Sequence, residues 1–277
     1  MHKIAIGNEG YKTFWNDNQN FYISIRPRLE YPGRTYKDAL YWALNARNFR
    51  SPFVLVSGGL DSEVTAVAVR DYTDDFELLH LQYYYHGQLI NSHERYWVEE
   101  FAKRLGKKLV YMTLDLEKFY EKEQYIEFAT HYLCRSPQVA AHLWALEQID
   151  VPVILGGALR QGPNDTASES SYHACYRLWD EHKRQGCELL QDTYELYQLS
   201  MQLPTSAGQA RDRTAAGKMK HMVYNSWGFD FTFVDRPKHT GFELIQQQYA
   251  IHGKDWNKLY RTDTLEKLVP HLRTVFV

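Results

Sequence analysis

Residues 53–63, Phe-Val-Leu-Val-Ser-Gly-Gly-Leu-Asp-Ser-Glu, constrain this chain more than any other stretch. Four apolar residues, Phe53, Val54, Leu55 and Val56, run without interruption into Ser57-Gly58-Gly59. A short apolar run closed by a glycine pair reads as a strand buried on both faces, as inside a parallel sheet. A helix-compatible segment starts at once, with Val64, Val67 and Ala68 on one face. Two glycines in the turn let the backbone come close to a ligand and take dihedrals closed to other residues. The start of the helix offers unpaired N–H groups and the positive end of its dipole to an anion. Ser57, Ser62 and the glycine amides add donors, and Asp61 can hold a cation. Together they make an anion cradle without a lysine.

The hexapeptide Ser57-Gly58-Gly59-Leu60-Asp61-Ser62 resembles, at every fixed position, the SGGxDS signature of the PP-loop or N-type ATP pyrophosphatase superfamily. It has the same setting, after an apolar strand and before a helix. That superfamily includes asparagine, GMP and NAD synthetases, tRNA thiolases, tRNA lysidine synthetases and PAPS reductases. The resemblance covers residues 50–165 and implies ATP and magnesium as ligands. It implies that Ser57, the amides of Gly58 and Gly59, and Ser62 bind the β- and γ-phosphates, which leave as pyrophosphate. Asp61 then helps to hold magnesium. Leu55, Val56 and a residue near Tyr83 are candidates for the adenine pocket, although Tyr83 reads equally well as strand packing. Gly156-Gly157, after a later strand, is the place where such folds let backbone approach the nucleotide.

The activity implied is adenylation of an acceptor carboxyl or carbonyl oxygen, followed by displacement of AMP by an amine or ammonia. This resembles the asparagine synthetase branch more than the thiolases. Two alternatives stay open: a sulfurtransferase or PAPS reductase-like enzyme, and a nucleotide-binding module without turnover. Sulfur-transferring members use a cysteine pair or an iron–sulfur cluster. Here Cys134, Cys175 and Cys187 are widely spaced, and no cysteine follows 187. Position 2 is His2, not the cysteine that opens a glutaminase domain, so a separate ammonia source is expected.

Order along the chain supports an α/β class. Residues 76–85, 109–114 and 151–155 read as further strands. Between them lie a helix opened by Asn91 and Glu94 as a capping box and another opened by Ser136-Pro137. Alternation of this kind predicts a doubly wound, Rossmann-like parallel sheet of five strands, with 229–234 (FDFTFV) as the fifth. Ligands of such sheets bind beyond the carboxyl ends of the strands at the switch point. Three regions are expected: an N-terminal extension, 1–50; a nucleotide-binding domain, 51–170; and a mostly helical substrate region, 171–277. In the extension, 21–25 reads as a strand and 35–48 as a helix with Ala39, Leu40, Ala43 and Leu44 on one face. Residues 172–202 read as one or two helices.

Further candidates are basic. Arg135 precedes a helix start and either clamps a phosphate or is a solvated surface residue. Residues 204–221, with Arg211, Arg213, Lys218, Lys220 and His221, form a polar loop: a lid over ATP, a support for a nucleic-acid backbone, or a solvated loop. Lys238 and His239 form a second pair. Asp61, Arg135, Lys218 and Lys238 are thus the catalytic candidates. By the resemblance, Arg160, Asn164 and Asp165, after Gly156-Gly157, face the acceptor; the same stretch also reads as a plain strand-to-helix turn. A net charge of −2, from 32 basic and 34 acidic residues, does not point to bulk nucleic-acid binding. The expected acceptor is a small molecule or a nucleobase. No run of eighteen apolar residues and no signal-peptide pattern occurs, so a cytoplasmic setting without a membrane partner is expected, with a homo-oligomer open.

Overall fold

The computed structural model describes residues 12–15, 21–24, 36–120, 124–132, 137–156, 166–192, 228, 229 and 245. Two short strands, β1 (Lys12–Trp15) and β2 (Phe21–Ser24), pair antiparallel ahead of helix α1 (Tyr36–Arg47). Ala39, Leu40, Ala43 and Leu44 are buried along one face of α1, as their spacing predicts. Then come β3 (Phe53–Leu55), α2 (Leu60–Tyr72), β4 (Glu77–Tyr85), β5 (Gln88–Leu89), α3 (Ser92–Leu105) and β6 (Leu109–Asp115). They are followed by α4 (Leu116–Tyr120), α5 (Gln124–Tyr132), α6 (Pro137–Glu147), β7 (Val153–Leu155), α7 (Thr166–Glu181), β8 (Gly186–Glu188) and α8 (Leu189–Asp192).

Five of these strands pair in parallel in the order β6-β4-β3-β7-β8. The chain begins the sheet at its centre, with β3, builds outward through β4 and β6, then crosses back to add β7 and β8. The fold is therefore a doubly wound α/β sheet, and its switch point lies between β3 and β7. The short β5 folds back antiparallel on the end of β4 through His86 and Gly87, both at positive φ (48° and 70°).

Helix α2 explains how the centre is held. Its buried residues run without a break from Ser62 to Val69. The sequence suggests one apolar face, but α2 packs on β3 and β7 on one side and on α1 and α8 on the other. A helix buried on every side belongs in a core, and α2 takes Ser62, Glu63 and Thr65 in with its apolar residues. Burial on every side outweighs the modest helix preference of Val64, Thr65, Val67 and Val69, whose branched side chains lose rotamer freedom there. A second packed group is formed by α5, α6 and α7. One hydrophobic core joins residues from α1 through α8 and also takes in Ile245.

Two expectations are corrected. The fifth parallel strand is β8, within a stretch read as helix; Phe229 lies outside any strand, and 230–234 lie outside the described residues. At three residues, Gly186, Cys187 and Glu188 have no period to detect, and pairing with Val153–Leu155 makes them a strand. Secondly, Asn91 and Glu94 do not form a capping box, for Asn91 gives its helix no side-chain cap. Its amide instead donates to Leu81 O (2.8 Å) and Glu94 Oε2 (2.8 Å) and accepts from Tyr83 N–H (3.0 Å). With Ile90 N–H on Tyr83 O (2.9 Å), it serves the backbone groups of β4 beyond the end of β3. No helix among the described residues is long and apolar enough to cross a membrane.

A Cβ added at Gly186 would sit 2.1 Å from the Trp179 ring, which is itself buried against Tyr176. Gly186→Ala must displace the indole and is expected to cost ~1–3 kcal/mol, read as a lower midpoint in urea unfolding. An unchanged midpoint would show that β8 tolerates a side chain there.

Candidate functional site

The glycine turn, residues 56–59, joins the central strand to the start of α2. Val56 is buried and its N–H still donates to Leu79 O of β4 (2.9 Å), one step past the last paired residue of β3. Ser57 is exposed at the lip of the turn. Gly58 lies at φ 69°, in the left-handed region that a Cβ makes costly. Gly59 is the N-cap of α2, with extended dihedrals and no side-chain cap bond. The first turn of α2 thus keeps backbone donors for a ligand, which is the arrangement that holds anions at helix starts.

Two hydroxyls brace this turn from inside. Ser57 N–H donates to Ser62 Oγ (3.3 Å), and Ser62 Oγ–H donates to Gly59 O (2.8 Å). Thr65 Oγ1–H donates to Asp61 O (2.9 Å). Ser62, expected as a phosphate donor, is therefore engaged in stapling the turn in this structure. Its proton cannot serve Gly59 O and an outside acceptor at once.

Gly156 follows β7 directly and lies across the switch point. A Cβ there would meet Asp61 O at 2.9 Å and Ser62 N at 3.0 Å. The close approach at this glycine is to the first turn of α2, whatever else it also admits. Gly156 O in turn accepts from Leu190 N–H (3.4 Å), tying the start of α8 to the same place.

Asp61 occupies the second position of α2, beside the positive end of the helix dipole. Its carboxyl is packed among protein atoms although the residue is only half-buried, and among the described residues no hydrogen bond or ion pair engages it. Burial pushes its pKa up to about 7 from the usual 3.8. A carboxylate so placed is short of a cation. It fits the role of a divalent-metal ligand, though among the described residues no group of three or more His, Cys, Asp and Glu gathers as a metal site.

The remaining candidates divide. Leu55 and Val56 lie at the end of β3, and Tyr83 lies on β4, buried, its N–H and C=O already taken by Asn91 and Ile90. Burial, then the nearby Glu94 carboxylate, raises the Tyr83 phenol well above its usual range. Arg135, Gly157, Arg160, Asn164, Asp165, Lys218, Lys238, His239 and the loop 204–221 lie outside the described residues. Cys175 and Cys187 are fully buried. One residue was missed from sequence: His80, buried in β4, whose Nδ1 lies 2.9 Å from Val56 O. Its only signal was a histidine inside the apolar run FELLHLQYYY.

No family model and no curated protein matches this chain. Among solved structures, a predicted subunit of tRNA methyltransferase from Methanocaldococcus jannaschii DSM is similar at 23% identity, over 55% of this chain and 74% of that one. Its TM-score is 0.35, and a likeness of that size carries no argument about activity.

The raised pKa of Asp61 has a sign. Between about pH 4 and 7 the folded chain keeps a proton that the unfolded chain has lost, so stability falls as pH rises through that window. Asp61→Asn removes this penalty. The thermal midpoint of Asp61→Asn is expected to rise relative to wild type as pH goes from ~4 to ~8; a constant difference would show an ordinary carboxylate.

Proposed function

We propose that this protein binds ATP at the β3–α2 turn and transfers the adenylyl group to an acceptor oxygen, releasing pyrophosphate. The observation that carries this reading is the uncapped first turn of α2, set at the switch point of a doubly wound sheet and entered through Ser57-Gly58-Gly59. The desolvated Asp61 carboxyl and the SGGxDS resemblance support it from independent directions.

The chemistry asks the chain for placement more than for bond making. Backbone N–H groups of the turn and of the first turn of α2 receive the β- and γ-phosphates. The helix dipole favours the charge that grows on the departing pyrophosphate. The acceptor's carboxyl or carbonyl oxygen attacks the α-phosphorus, the bond from that phosphorus to the bridging oxygen breaks, and pyrophosphate leaves with the electron pair. An amine or ammonia then displaces AMP from the activated acceptor. Magnesium, held by Asp61 and phosphate oxygens, would neutralise phosphate charge when bound. A bound cation would also offset the burial cost of the ionised Asp61.

For the two described cysteines burial weighs against the sulfur-handling reading, while Cys134 lies outside the described residues. Cys175 and Cys187 sit in the core with no exposed surface, where a thiol is poorly placed to attack.

The test is product analysis. ATP, magnesium and a panel of carboxylate and carbonyl acceptors, with and without ammonia, are expected to give AMP and pyrophosphate. Asp61→Ala is expected to lower that yield ~100-fold or more, by analogy with the loss of one group that stabilises developing charge. Gly156→Ala, which forces a side chain into the Asp61–Ser62 backbone, should also lower it. ADP and phosphate as products would overturn adenylation, and ATP binding without turnover across the panel would favour a binding module.

A further inference from the structure

We infer that His80 is a positioning residue for the anion cradle: from β4 it holds the Val56–Ser57 peptide in the orientation that turns the end of β3 into the phosphate-binding turn. This rests on the reading of that turn given above.

The C=O of Val56 and the N–H of Ser57 belong to one rigid peptide plane. Both ends of that plane are held, and by side chains. His80 Nδ1 lies 2.9 Å from Val56 O, and Ser57 N–H donates to Ser62 Oγ at 3.3 Å. Ser62 then donates to Gly59 O at 2.8 Å, so the chain of contacts runs from β4 through the peptide into the turn. The ladder between β3 and β4 ends at Leu55 and Leu79. His80 acts immediately beyond that end, where regular pairing no longer fixes the backbone.

The tautomer follows from the partner. A carbonyl oxygen only accepts, so Nδ1 carries the hydrogen. Burial, the largest influence, disfavours the charged ring, which leaves a neutral imidazole donating through Nδ1. The ring has little freedom to leave: it is 2% exposed and lies edge-on to Tyr111 at 6.0 Å.

The consequence concerns the anion. Were the Val56–Ser57 plane to turn over, Val56 O would exchange places with Ser57 N–H. A carbonyl oxygen would then face Ser62 Oγ in place of a donor, and the contact that fastens Ser57 to the turn would be lost. The buried Val56 O needs a partner wherever it points, and His80 supplies one only in the orientation that keeps it away.

The test uses the full-length chain and two donor-free variants beside one that keeps the donor. In His80→Asn the amide Nδ2 stands as many bonds from the backbone as imidazole Nδ1 does, so the bond to Val56 O can re-form. His80→Leu removes it, and His80→Phe removes it while keeping a flat ring should the leucine variant fail to fold. Titration calorimetry with magnesium pyrophosphate and with MgATP is run beside thermal midpoints and the amide resonances of Ser57 and Ser62. His80→Asn is expected to bind within about threefold of wild type, and the donor-free variants ~10-fold or more weakly, as the loss of one hydrogen bond to a buried carbonyl suggests. The Ser57 resonance should move in the donor-free variants and return in His80→Asn. Folded donor-free variants that bind like wild type would overturn the inference, as would an asparagine variant as weak as they are. If the wild type binds neither probe, the nucleotide reading fails by itself. An unmoved Ser57 resonance in the donor-free variants would then overturn the role of His80.

Discussion

The first turn of α2 touches the end of β7 with no side chain between them. The place a Cβ would take at Gly156 is already within 2.9 Å of Asp61 O. That contact lies where the two halves of the sheet, joined by the pairing of β3 with β7, meet and the chain reverses its direction of growth. It also fixes the direction of α2, which must leave β3 at once and run under α1 and α8. The close approach of α2 to β7, and with it the place of the first-turn N–H groups of α2 at the switch point, depends on the missing side chain at Gly156.

A cost accompanies this arrangement. Helices are steadied by a capping side chain, and α2 has none at Gly59. Carboxylates are steadied by a partner or by water, yet Asp61 is desolvated enough to bring its pKa to about 7. Gly58 contributes a backbone conformation that other residues adopt with strain. Three departures from local stability fall within four residues, at the one place where the fold class puts ligands. The surrounding core offsets them: Val54, Val56, Val64, Val67 and Leu78 are all buried around the turn.

Legibility varied along the chain for physical reasons. The central strands were readable as short apolar runs, and α1, α2, α3 and α6 from apolar spacing at 3.6 residues, because both are properties of the local sequence. The β8 strand was not, since three residues become a strand only by pairing with Val153–Leu155. The Asn91–Glu94 pair matched a capping box in spacing but was diverted to β4, whose edge groups beyond β3 needed partners. In the site, Ser57 to Ser62 was legible as a motif. His80 was not, because its bond to Val56 joins positions twenty-four residues apart through strand pairing.

By itself the sequence determined that a buried strand ends in Ser-Gly-Gly and runs straight into a helix, because glycine torsions and apolar spacing are local properties. It determined, by the same local means, that strands and helices alternate. Only the tertiary structure decided that β3 is central, that Gly156 closes on the Asp61–Ser62 peptide, and that His80 reaches Val56 O. Only the tertiary packing decided that the half-buried Asp61 has its pKa raised by desolvation. Strand order and desolvation depend on residues distant in the chain, and no local window of sequence contains them.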